Sequence, residues 1–290
     1  MKFIDKSVRR NDFNQFSIRY LKNHLIGGRI VPLVADKKTF DNSHFSKANY
    51  KHGTSTKPKG WLNILLEEQN GLCCYCMRRF SGGDVSVEHI IPESFTGLNA
   101  TNEYNFYSNI SNDIKNYVEL GSTFATRTFA NASDLDLLTK FPHLIAHSNL
   151  TAACIVSPKG TEIGCCCNNR RGNTRILPLM LMPSVDSIVK YETDGTMSIL
   201  YSDDAISVQT LVALNINNET LKEVRHLWYL AKTSKIKPQG SENLPNRMRL
   251  LCGYFHKAFF AELDAKYQKY ADTDMYWNLF LQYDWFWSYY

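Results

Sequence analysis

Eight cysteines stand in the chain, and seven fall into two tight groups: Cys73, Cys74 and Cys76, then Cys154, Cys165, Cys166 and Cys167, with Cys252 apart. A structural zinc site takes four ligands in a tetrahedron, with thiolates supplied by two short knuckles. Cys73 and Cys76 have the C-x-x-C spacing of one knuckle. Cys154 opens the other half, and Cys165, Cys166 and Cys167 lie eleven to thirteen residues beyond it. Cys167 is the favoured fourth ligand because it leads directly into Asn168 and the basic turn NNRRGN, with Cys165 and Cys166 as alternatives. A disulfide scaffold would be shorter and more evenly spaced. Metal ligation explains the groups better, and plain buried thiols are the competing explanation.

Glu88 and His89 lie twelve and thirteen residues beyond Cys76. A lone histidine there would more often be a structural side chain. Here Asn149-Leu150 follows, with Cys154 five residues after the asparagine, and then Cys167-Asn168. This order suits one-metal cleavage of a phosphodiester. Glu88 and Asn168 offer hard oxygen ligands to a catalytic Mg²⁺ or Mn²⁺. His89, neutral at pH 7, can take a proton from the attacking water. Asn149 is expected to hold the His89 ring through its other nitrogen. Arg170 and Arg171 are placed to grip phosphate oxygens.

These residues need elements to position them. WLNILLEEQN has apolar residues at helical spacing (Trp61, Leu62, Leu65 and Leu66), and Gly71 closes that helix just before Cys73. DVSVEHIIP reads as a short strand ending in His89 before Pro92, and NLTAACIVS as a second strand. NNRRGNTRI begins a short basic helix or turn. Together they predict a ββα unit interrupted by a polar, Asn-rich insertion at 93–148, with one helix near 108–120. Upstream, residues 14–26 predict a helix stopped by Gly27 and Gly28.

After Pro183 the pattern changes. IVKYETDGTMSILY reads as a hairpin with a two-residue turn at Asp194-Gly195. NNETLKEVRHLWYLAK reads as a helix capped by Asn217 or Asn218. The chain ends in YWNLFLQYDWFWSYY, where nine of fifteen residues are aromatic. Such a segment is either a buried helix or a docking surface for a partner. The expected division is a basic N-terminal arm at 1–60, a core at 61–183 and an accessory, largely helical domain at 184–290.

A chain of 290 residues with 44% hydrophobic side chains can bury one large core or two smaller ones. No apolar run approaches the roughly 18–20 residues of a spanning helix. No signal-peptide pattern follows MKFIDKSVRR, so a cytoplasmic protein is expected. The net charge of +5 is uneven: residues 1–60 hold thirteen Lys or Arg against four Asp or Glu, interleaved with aromatics. A polyanion would be drawn to that segment, with bases stacking on exposed rings. A solvated basic face, its aromatics in the core, is the other reading. Nucleic acid is the expected partner, DNA before RNA.

The run LCCYC…VEHIIPES…NLTAAC…CNNRRGN resembles the zinc-ribbon HNH endonucleases, which have a ββα-metal core. LPLMLMP, VKYETDGTMSIL and LNINNETLKEVR resemble one narrower group, the HNH subunits of Septu-type and retron-associated anti-phage systems. The resemblance covers roughly residues 61–230. It implies an α+β chain with a ββα-metal core, structural zinc at four cysteines, and a catalytic divalent ion. It also implies a nuclease that works beside an ATPase in antiviral defence. The alternative is a decayed zinc-ribbon subunit that binds nucleic acid or regulates.

Overall fold

The computed structural model describes residues 1–30, 61–80, 85–154, 167–233 and 259–290. It is a mixed α+β chain in two units, one formed by Met1–Cys74, Val85–Ala153 and Arg175–Asp186, the other by Tyr75–Asp84, Cys154–Thr174 and Ser187–Tyr290. Among the described residues, no helix is long and apolar enough to cross a membrane.

In the first unit the helix Arg10–Asn23 buries Phe13, Ser17, Ile18, Tyr20 and Leu21. It ends before the position the glycines suggested. Gly27 and Gly28, both at positive φ, instead turn the two-stranded hairpin that pairs Leu25 with Ile30 and Ile26 with Arg29. Phe13 stacks on Trp61 with centroids 5.8 Å apart, and on His147 at 4.6 Å. Met1, Ile4 and Lys6 are also buried. The first thirty residues thus contribute buried side chains to the first unit's core, with their other residues half-buried or exposed. Residues 31–60 lie outside the described residues.

The helix Trp61–Glu68 forms where its apolar spacing predicts and buries Trp61, Leu62, Ile64, Leu65 and Leu66. Asn70 and Gly71, at φ 54° and 69°, end it and turn the chain towards Cys73. The strands Val85–His89 and Leu150–Cys154 also form as expected, and they pair. The Ile90 N–H donates to Asn149 O at 2.9 Å and the Ser86 hydroxyl to Ala153 O at 3.5 Å, contacts that run in opposite senses along the two chains.

Residues 93–148 are more ordered than an insertion of polar composition suggests. Helices span Gly97–Ile110 and Asn112–Tyr117, where one was expected. Ser111 separates them and caps the second, its hydroxyl accepting from the Ile114 N–H. Val118–Glu119 then pairs in parallel with Phe141–Pro142. Tyr107, Ile114, Val118, Phe124 and Phe141 are all buried, which makes this segment part of the first unit's core.

In the second unit the hairpin pairs Val189 with Ile199 and Tyr191 with Met197. Its loop is longer than two residues: the Gly195 N–H donates to Glu192 O and the Glu192 N–H to Thr196 O. Gly195 sits at φ +85°, and a Cβ there would lie 2.0 Å from the Lys222 carbonyl oxygen. The helix Glu219–Thr233 passes at that point, capped by Asn218 Oδ1 at 3.1 Å from the Leu221 N–H. Gly195→Ala should cost at least about 2–3 kcal/mol, from backbone strain and displacement of that helix; a shift in the urea midpoint measures it. The C-terminal aromatics are largely core. Trp228 stacks on Phe280 at 4.3 Å and donates its indole N–H to Phe280 O. Tyr283 and Phe286 are buried as well.

Candidate metal centre and catalytic residues

Cys73, Cys76, Cys154 and Cys167 come together, their sulfurs all within 4.8 Å of one another and all four side chains buried. The Cys76 and Cys154 sulfurs are 3.7 Å apart. A zinc–thiolate tetrahedron with bonds of about 2.3 Å has edges of about 3.8 Å, whereas a disulfide would need about 2.05 Å. The donor set therefore fits a zinc ion, and the spacing excludes a cross-link. Cys73 enters from the Gly71 turn, Cys154 ends its strand, and Cys167 precedes the short helix Asn168–Arg171. Met77 and Cys167 hold left-handed backbone at φ 63° and 58°, where non-glycine residues are uncommon. Cys165 and Cys166 lie outside the described residues.

Cys74 stands outside the cluster, as the alternation within a knuckle requires. Its sulfur accepts from the Thr151 hydroxyl at 3.4 Å, and its backbone N–H donates to Ala152 O at 3.1 Å. Burial, then the adjoining Cys73 thiol and, more weakly, the Glu88 charge push the Cys74 thiol well above its ordinary range. The chain should carry about one zinc, and Cys74→Ser should retain it; elemental analysis of both proteins is the check.

His89 ends its strand half-buried, and its Nε2 lies 3.1 Å from Leu144 O. A carbonyl only accepts, so Nε2 carries the proton and Nδ1 is the basic nitrogen. Asn149 does not reach this ring. Its Oδ1 accepts from the Ile91 N–H at 2.7 Å, and its Nδ2 donates to Ile91 O at 3.1 Å and His143 O at 2.8 Å. All of its amide hydrogens go to main chain, so it acts on His89 at one remove. It fixes the strand end two residues past His89, and it fixes the carbonyl one residue before the one that orients the ring. Glu88 is 3% exposed beside the half-buried His89, as alternation along a strand dictates.

Asn168 and Arg170 begin the short helix of the second unit, with Arg170 exposed. Arg171 is different from expectation. It is 2% exposed, donates to Thr174 O at 3.1 Å and to the Tyr75 hydroxyl at 3.3 Å, and is thereby a buried brace, not a phosphate grip. Glu88 and Asn168 offer a carboxylate and an amide oxygen, the hard donors that Mg²⁺ or Mn²⁺ takes.

Sequence spacing carried no sign of a buried ionic group around the start of the strand that follows Asn149. Lys6 Nζ lies 2.8 Å from Glu68 Oε1 and donates to Leu150 O at 2.7 Å, and His147 Nε2 donates to Glu68 Oε2 at 2.7 Å. All three side chains are at most 2% exposed. Burial first and Lys6 next hold His147 near pKa 4, and burial also lowers His143 to about 4. A depressed histidine binds no proton in the fold but binds one when unfolded. Its stabilisation is therefore full above about pH 6.5 and is lost as pH falls towards 4. Going from pH 7 to 5 should cost about 2 kcal/mol per histidine. Urea midpoints in zinc-saturated buffer at both pH values measure this, and His143→Gln should flatten the slope.

No known protein-family model matches the chain, and no curated protein or solved structure matches it.

Proposed function

We propose that the chain is a metal-dependent HNH-type endonuclease, in which the paired strands carry the catalytic Glu88 and His89 and the four cysteines hold structural zinc. The observation that carries this reading is the chain of contacts behind His89: Asn149 holds His143 O, and the next carbonyl, Leu144 O, holds His89 Nε2. A histidine that only filled space would need no such support. With its proton fixed on Nε2, His89 offers Nδ1 to the attacking water as general base. Glu88 would offer a hard oxygen to Mg²⁺ or Mn²⁺, which when bound supplies charge stabilisation at the phosphate and its leaving oxygen. Arg170, exposed on the short helix, contacts a backbone phosphate. DNA is the favoured substrate and RNA the second. The resemblance to Septu-type and retron-associated subunits makes an ATPase the partner and antiviral defence the setting.

The test is incubation of the zinc-loaded chain with single- and double-stranded DNA and with RNA. Mg²⁺, Mn²⁺ or chelator is added, with and without a co-expressed ATPase. Divalent-dependent cleavage supports the reading. Binding of nucleic acid with no cleavage under any of these conditions favours a decayed, regulatory subunit instead.

A further inference from the structure

The C-terminal segment reaches the metal knuckle. The Tyr283 hydroxyl lies 3.8 Å from Cys76 Sγ, in position to donate to it, and the tyrosine is 1% exposed. Its two chain neighbours hold the residues that follow the knuckle. The Arg79 N–H donates to Gln282 O at 2.7 Å, and Arg78 Nε donates to Gln282 Oε1 at 2.6 Å. Arg79 also pairs with Asp284, Nη2 to Oδ1 at 2.8 Å. Three consecutive residues near the end of the chain thus grip Arg78 and Arg79 and touch the Cys76 sulfur. A buried phenol needs a partner for its hydroxyl, and packing alone would be served by phenylalanine. A zinc-bound thiolate keeps excess negative charge on sulfur, and a hydrogen bond to it offsets the repulsion among four thiolates.

We infer that Tyr283 is a positioning residue of the metal centre, its hydroxyl donating a hydrogen bond to the metal-bound Cys76 sulfur, with Gln282 and Asp284 holding the knuckle in register. This rests on the reading of the four cysteines as a zinc site. It gives the terminal aromatic run a task beyond filling the core, because loss of the segment loosens the ion.

The test uses the full chain with Tyr283→Phe, and with Tyr289→Phe as a control. Tyr289 belongs to the same segment, but its hydroxyl accepts from the Tyr191 N–H. Zinc affinity is measured by chelator competition, and the cobalt-substituted proteins are compared by their sulfur-to-metal charge-transfer bands. Tyr283→Phe should weaken zinc about tenfold and move the band to lower energy, while Tyr289→Phe changes neither. Wild-type protein without bound zinc defeats the zinc reading itself. Wild-type protein with zinc and an unchanged Tyr283→Phe defeats only the role of Tyr283. Equal weakening in both variants, with the band unmoved, means general loosening and also overturns it.

Discussion

Cys76→Ser should yield a chain that holds no stoichiometric zinc and whose second unit does not keep its fixed tertiary structure. The size of the effect follows from linkage. Structural zinc contributes on the order of 10–16 kcal/mol of apparent binding free energy at neutral pH, as much as the whole stability of a typical domain. Cys76 sits where several supports converge: the Cys154 sulfur at 3.7 Å, the Tyr283 hydroxyl, and Met77 in left-handed backbone immediately after it. Without the ion, the remaining three buried thiols lose the bonds that would draw their sulfurs together. Zinc content and near-UV circular dichroism measure the loss. A soluble Cys76→Ser protein with native near-UV signal and no zinc would show that the cysteines pack as thiols.

Lys6→Met should destabilise the first unit by about 3–5 kcal/mol, the usual cost of leaving a buried charge without its partner. Glu68 is nearly inaccessible, and besides Lys6 it has His147, which burial keeps neutral. In the variant His147 keeps its hydrogen bond to Glu68 but no longer faces the Lys6 charge, so its folded pKa rises. The destabilisation relative to wild type should then shrink as pH falls from 7 towards 5, because the variant loses less stability through His147 than the wild type does. Lys6→Met combined with Glu68→Gln should recover much of the loss, because no charge stays buried. Urea midpoints at the two pH values separate these outcomes; an unchanged midpoint in Lys6→Met at pH 7 would contradict the account.

The parts of the fold legible in the sequence are those governed by local pattern. Trp61–Glu68, Val85–His89, Leu150–Cys154 and the Asn218-capped helix follow from apolar spacing and capping chemistry, and they form where expected. The C-x-x-C spacing of Cys73 and Cys76 likewise identified half of the metal cluster, and the residue after Cys167 identified the rest. What pattern could not supply is contact between distant segments. The Lys6–Leu150 hydrogen bond spans 144 residues, and nothing near Lys6 marks it as buried. Net charge suggested an arm where apolar side chains built a core. Asn149 was legible as a candidate site residue, but its partners are backbone groups, and backbone groups carry no sequence signal. Arg171 was misread for a related reason: an arginine beside another looks like a phosphate grip until a tyrosine hydroxyl 96 residues away is seen to take it.

The central claim is that His89 is the general base of a nuclease, and initial cleavage rates of wild type and His89→Ala on one labelled DNA in saturating Mn²⁺ test it most directly. Both proteins must first show the same zinc content, melting temperature and DNA affinity, so that a loss of rate is not a loss of fold or of binding. The account predicts a rate loss on the order of 10² to 10⁴ for His89→Ala, and a smaller loss for Asn149→Ala, whose side chain acts through His143 and Leu144. Cleavage by His89→Ala at the wild-type rate would contradict it.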